Sequence, residues 1–133
     1  MRILLSTFAI ATTLVLSAPA AQAFEIGFDW KGLKLCTSGN PNRVANPRFV
    51  LKDVPAGTQY IRFKLTDRDV PGYNHGGGVV KYTGQQVIEP GAFKYKSPCP
   101  PSGRHTYEWR ATAQTRKNGG KIEVAKARRK YPE

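Results

Sequence analysis

The chain has 133 residues, with 21 lysines and arginines against nine acids and a formal net charge of +12. That length allows one folded domain with a modest core, and the charge favours acidic partners: phospholipid head groups, nucleic acid or envelope polyanions. Two cysteines and two histidines, with no Cys-x-x-Cys and no His-rich spacing, argue against a metal site, and no cofactor is expected.

Met1-Arg2 gives a short positive start, Ile3 to Leu16 is mostly apolar, and Ser17 to Ala23 ends in an Ala-x-Ala pattern. This reads as a secretory signal peptide over residues 1–23, cleaved after Ala23. The apolar part is too short for a comfortable membrane span, and no second one follows. A bacterial periplasmic or secreted address is expected. Taking 23 residues from 133 leaves 110, residues 24–133, for a single domain; losing Arg2 takes the charge from +12 to +11. In an oxidising compartment the only two cysteines, Cys36 and Cys99, read as a disulfide. It would close a loop of roughly 60 residues, contributing on the order of 4 kcal/mol by chain entropy.

In chain order, Phe24, Ile26, Phe28 and Trp30 alternate with polar or small residues, the pattern of a half-buried strand. Lys31-Gly32 breaks it, Leu33 to Thr37 is a candidate short strand, and Ser38 to Asn42 is a loop. A further strand is expected over Arg48 to Leu51, followed by turn chemistry from Asp53 to Thr58. Tyr60 to Thr66 alternates cleanly, with Ile61, Phe63 and Leu65 on one side, and ends at Asp67 and Asp69.

Gly76-Gly77-Gly78 permits close backbone approach, to a ligand or to another segment. Strands are expected over Val79 to Thr83 and Gln85 to Ile88. His105 to Gln114 reads as a long strand, with Tyr107, Trp109, Ala111 and Ala113 at period two. Arg116 to Gly120 looks like a hairpin turn, Lys121 to Ala127 like a strand or short helix, and Lys126 to Glu133 like a solvated basic end. Many short strands with ten prolines and thirteen glycines favour an all-β sandwich or barrel.

The stretch from Ser97 to Gly103 holds three prolines and a glycine, a stiff loop that feeds the long strand and places His105 and Tyr107 at its start. A second polar cluster runs from Asp67 to His75. Four stretches in order, Val54-Pro55-Ala56-Gly57-Thr58, Asp67-Arg68-Asp69-Val70-Pro71, His75, and Pro98 to Tyr107, resemble the phosphatidylethanolamine-binding proteins. The likeness is to the bacterial Raf-kinase-inhibitor-like branch above all. The chain departs from that pattern at Arg68, at Thr106 between His105 and Tyr107, at Asn74 and Gly76 beside His75, and in a short Gly78–Gly91 segment.

The resemblance implies a small, trimmed β-sandwich of two sheets with an anion-binding cavity at one end. Carried over residue by residue, Asp67, Asp69, His75, Pro100, Pro101, His105 and Tyr107 would line it. Two imidazoles and a phenol can donate hydrogen bonds to phosphate oxygens, and Asp67 would orient one imidazole. The leading expectation is a secreted module for a phosphate- or carboxylate-bearing ligand such as a phospholipid head group, with an acidic protein as a further partner.

The alternative is polyanion or nucleic-acid binding through the basic surface, with Tyr60 and Arg62 placed to stack bases; export argues against nucleic acid. A hydrolase would use His75 or His105 as a base oriented by Asp67. Ser97, Ser102 and Thr106 lie near, but no nucleophile elbow or metal set accompanies them, so catalysis is not expected.

Overall fold

The structure, a computed structural model, describes residues 10–18 and 22–133. The expected signal segment therefore lies largely outside the described residues. Within 10–18 there is no regular structure, and Ile10, Leu14, Val15 and Leu16 are exposed rather than packed on the core. Among the described residues no helix is long and apolar enough to cross a membrane.

The elements are all strands: β1 (Glu25–Gly27), β2 (Arg43–Ala45), β3 (Phe49–Lys52), β4 (Tyr60–Asp67), β5 (Gly77–Lys81), β6 (Val87–Ile88), β7 (Lys94–Lys96), β8 (His105–Arg116) and β9 (Gly119–Tyr131). They form a four-stranded sheet in the order β5-β4-β8-β9, a three-stranded sheet β1-β3-β6 and a two-stranded ribbon β2-β7. Neighbouring strands pair antiparallel throughout.

The inward residues of β4 and β8 explain the sandwich. Ile61 and Phe63 lie opposite Ala113 and Ala111, and Leu65 opposite Trp109, so two of the three large side chains of β4 face an alanine. That leaves room for Phe49 of β3, which stacks on Phe63 at 4.4 Å and meets Trp109 edge-on at 5.2 Å. Tyr95 of β7 closes the other side of Trp109 at 4.9 Å. Aromatic pairs of this kind contribute about 0.5–1.5 kcal/mol each beyond their buried area.

Several expectations shift on the structure. The Phe24–Trp30 alternation is buried over its whole length, yet only Glu25–Gly27 pairs as strand. Leu33 to Thr37 is not a strand: the Cys36 amide donates to the Tyr131 hydroxyl at 2.8 Å, and the segment is stapled instead of laddered. β2 and β7 are strands the alternation did not reveal. β5 begins at Gly77, earlier than Val79, because the glycines themselves pair with Lys64 and Phe63. Lys121 to Ala127 is strand and not helix, and the expected solvated tail continues it to Tyr131, whose ring is buried. Its cations Lys126, Arg128 and Lys130 do face outward.

The Cys36–Cys99 disulfide is formed. Gly77 and Gly78 make the close approach to other segments: a Cβ on Gly77 would lie 1.9 Å from the Phe63 carbonyl oxygen, and one on Gly78 would lie 2.5 Å from the Phe93 side chain.

Candidate functional site

β4 and β8 run antiparallel with Asp67 opposite Tyr107, so the end of one strand and the start of the other lie side by side. The inward face of that end carries Asp67, His105 and Tyr107. Asp67 is buried, and both of its oxygens are used. Oδ1 accepts from the amides of Asp69 at 2.9 Å and Val70 at 3.2 Å, which closes the turn after β4. Oδ2 lies 2.6 Å from His105 Nδ1. Burial raises the Asp67 pKa, but the His105 bond and the two amides outweigh it, and the net shift is downward.

His75 enters from the turn before β5. Its ring is 3% exposed, and Nδ1 lies 2.8 Å from the Lys96 carbonyl, while the Lys96 amide donates back to the His75 carbonyl at 2.8 Å. A carbonyl only accepts, so Nδ1 carries the hydrogen and Nε2 is the nitrogen left for the cavity. Burial pushes the His75 pKa below the ordinary histidine value, which keeps the ring neutral and makes Nε2 an acceptor at neutral pH. Tyr107 stands between the imidazoles, edge-on to His75 at 5.5 Å and stacked on His105 at 6.3 Å. Burial, then the nearby Asp67 charge, raises its phenol well above the usual range, so it remains a donor.

These groups bound a cavity of about 250 Å³, closed by Pro100 and Pro101 and completed by Gly39, Pro41, Val70, Tyr73 and Cys99. The disulfide holds the Gly39–Pro41 loop against the proline loop, and a Cβ on Gly39 would meet Pro101 at 3.3 Å. Six of the seven residues expected at the site line one cavity: Asp67, His75, Pro100, Pro101, His105 and Tyr107. The seventh, Asp69, is exposed, is absent from the lining, and accepts from the Thr106 amide at 2.8 Å. It pins the turn after β4 to β8.

The wall from Gly39 to Pro41 was not anticipated as lining, although the pairing of Cys36 with Cys99 brings it there. Tyr73 was also missed; it packs on His75 at 4.6 Å and sits under Lys96 Nζ at 5.6 Å.

Asp67, Asp69 and His105 offer ligand atoms within 4.8 Å of one another. The Asp67 oxygens and Asp69 Oδ2 already accept the hydrogen bonds that hold the two turns, so this cluster is used in positioning the site. Of the hydroxyls weighed as nucleophiles, Ser97 is buried and accepts from the Asn42 amide at 3.0 Å. Ser102 is exposed, and Thr106 alternates to the outer side of β8. None of the three lines the cavity.

No known family model matches the chain, and no curated protein matches it. Among solved structures, a putative phosphatidylethanolamine-binding protein homolog from Chlamydia trachomatis aligns with a TM-score of 0.59 and 16% identity, over 84% of this chain and 98% of that one. Escherichia coli YbcL, described as a new member of the mammalian PEBP family, aligns with a TM-score of 0.59 and 18% identity, over 83% of this chain and 98% of that one. The chain has the fold of these two proteins.

Proposed function

We propose that the chain is a member of the phosphatidylethanolamine-binding protein family that acts outside the cytoplasm, binding a small phosphate- or carboxylate-bearing ligand without chemical turnover. One observation carries this reading: Asp67, His105, His75 and Tyr107 converge on a single cavity, on a fold shared with two structures that bear the family's name. The volume narrows the ligand. At about 250 Å³ the cavity lies below the roughly 300–1,000 Å³ typical of drug-sized sites, which suits a phospholipid head group and not the acyl chains behind it.

The polar groups divide the work. The Tyr107 hydroxyl and the His105 imidazole would face the anionic oxygens of the ligand, and Asp67 would hold the His105 ring in place. His75 would accept, so the ligand that satisfies every group carries a donor as well as acceptors, as a monoprotonated phosphate does. This differs from the sequence expectation, in which both imidazoles donate. The disulfide supports an oxidising compartment, and an N-terminal apolar segment exposed in residues 10–18 is consistent with an export signal on residues 1–23.

Calorimetry with phosphoethanolamine on wild type, His105→Ala and Tyr107→Phe tests the reading. Loss of a charge-assisted bond in His105→Ala should weaken binding by about 10- to 150-fold, from roughly 1.5–3 kcal/mol. Equal affinity in all three proteins would refute the cavity as the site. Absence of catalysis is tested separately, with phosphoester, peptide and glycoside substrates. A rate that survives repurification and vanishes in His105→Ala would make the protein an enzyme.

A further inference from the structure

β8 has two faces with opposite chemistry. His105 and Tyr107 point into the cavity, while Thr106, Glu108 and Arg110 point out. The outward positions of β4, β8 and β9 carry Arg62, Lys64, Arg110, Lys126, Arg128 and Lys130, and the one acid among them is Glu108. Glu108 is occupied by Arg128 on one side and Arg68 on the other. The Arg62 guanidinium donates only to neutral acceptors, the Lys117 carbonyl and the Asn118 side chain, so its charge is uncompensated.

The register sharpens the point. Lys64 lies directly opposite Arg110, and Arg110 directly opposite Lys126. All three are exposed, and none of them forms an ion pair among the described residues. Like charges directly across a strand pair destabilise a sheet. The fold therefore carries a cost at this row that no ion pair among the described residues offsets.

We infer that this outer face of the four-stranded sheet docks onto a bilayer surface rich in anionic phospholipid. The cations spread in two directions: across three strands about 4.8 Å apart, and along β9 at alternate residues about 6.8 Å apart. A plane of anionic head groups meets both directions at once. A linear polyanion follows one of them, and the face offers no row of exposed aromatics on which bases would stack. Around the cation row the outward side chains Thr66, Thr106, Thr112, Val79 and Val124 are small, and the outward aromatic of β4, Tyr60, is half-buried at the far end of the strand beside Lys81, so adsorption is electrostatic and without deep insertion. The face lies on the opposite side of β8 from the cavity, and this inference does not depend on what the cavity binds.

The test is co-sedimentation with vesicles of equal parts phosphatidylcholine and phosphatidylglycerol, against vesicles of phosphatidylcholine alone. Wild type should bind the first, release as salt rises, and ignore the second. Lys64→Glu with Lys126→Glu leaves Arg110 between two carboxylates. This variant should melt a few degrees higher, because the like-charge row becomes an alternating one, while vesicle binding falls by more than about a hundredfold at roughly fivefold for each unit of charge.

The control is Arg43→Glu with Lys94→Glu on the two-stranded ribbon, which makes the same change in net charge at exposed positions. It should bind nearly as wild type does. Equal losses in the two variants would overturn the inference in favour of net charge alone. Binding to heparin with none to anionic vesicles would overturn it in favour of a linear polyanion.

Discussion

The two imidazoles at the cavity differ in what holds their Nδ1 atoms, a backbone carbonyl for His75 and a carboxylate for His105. Burial lowers the His75 pKa in the folded chain. Between that value and the ordinary value of about 6.5 the unfolded chain binds the extra proton, so stability rises with pH there. The contribution is whole above the unfolded value and is lost as pH falls toward the folded one. Melting temperatures should therefore drop as the pH is lowered below about 6.5, and His75→Gln should flatten that segment. Asp67, whose pKa is also lowered, adds a second loss in the carboxylate range. An unchanged profile in His75→Gln would mean that the buried ring does not titrate as described.

The same ring makes a prediction about selectivity. Inorganic phosphate keeps a proton at pH 7 that His75 Nε2 can accept, whereas sulfate has none. Leaving a buried acceptor unsatisfied costs about 1–3 kcal/mol, so phosphate should bind at least about fivefold more tightly than sulfate. Competition calorimetry reads the ratio. At Gly77 the constraint is space: a methyl group would strike the Phe63 carbonyl oxygen, which is fixed in the β4 ladder. Gly77→Ala should destabilise by about 1–3 kcal/mol through overpacking, read from denaturant midpoints.

At the scale of elements, legibility followed length and the size of the inward side chains. β4 and β8 are long and put Ile61, Phe63, Leu65, Tyr107 and Trp109 on one face, so alternation exposes them in the sequence. β2 and β7 have three residues each and a single inward apolar side chain, Val44 or Tyr95, which is too little for a period to show. β9 hid for another reason. Its inward positions opposite Trp109 and Ala111 are Ala127 and Ala125, and its outward ones are Lys126, Arg128 and Lys130. A strand whose middle needs only alanine inward, with its one large inward ring, Tyr131, at the very end, reads as a charged tail.

Six of the site residues were legible because they cluster in two short motifs. The Gly39–Pro41 wall was not, because its place depends on a disulfide that spans 63 residues. Replacing both cysteines, Cys36→Ser with Cys99→Ser, should lower stability by on the order of 4 kcal/mol. It should also weaken ligand binding, since that wall loses its staple. Unaltered affinity would show that the wall is not needed.

Across the whole molecule the charge is sorted by face. Six cations, Arg62, Lys64, Arg110, Lys126, Arg128 and Lys130, share the outer side of the β5-β4-β8-β9 sheet, while Asp67 and both histidines lie at one end of the sandwich on its inner side. The two proposals thus concern regions of different construction: a cavity that would select by hydrogen-bond geometry, and an open sheet face that would select by charge. The measurement that separates them most directly is a heteronuclear NMR titration of the protein with phosphoethanolamine, following the imidazole side chains and the backbone amides together. The account predicts that resonances of His75, His105, Tyr107 and the Pro98–Arg104 loop move with a single saturable curve while those of Lys64, Arg110 and Lys126 stay in place. Shifts confined to the outer sheet face, with the two imidazoles unmoved, would contradict it.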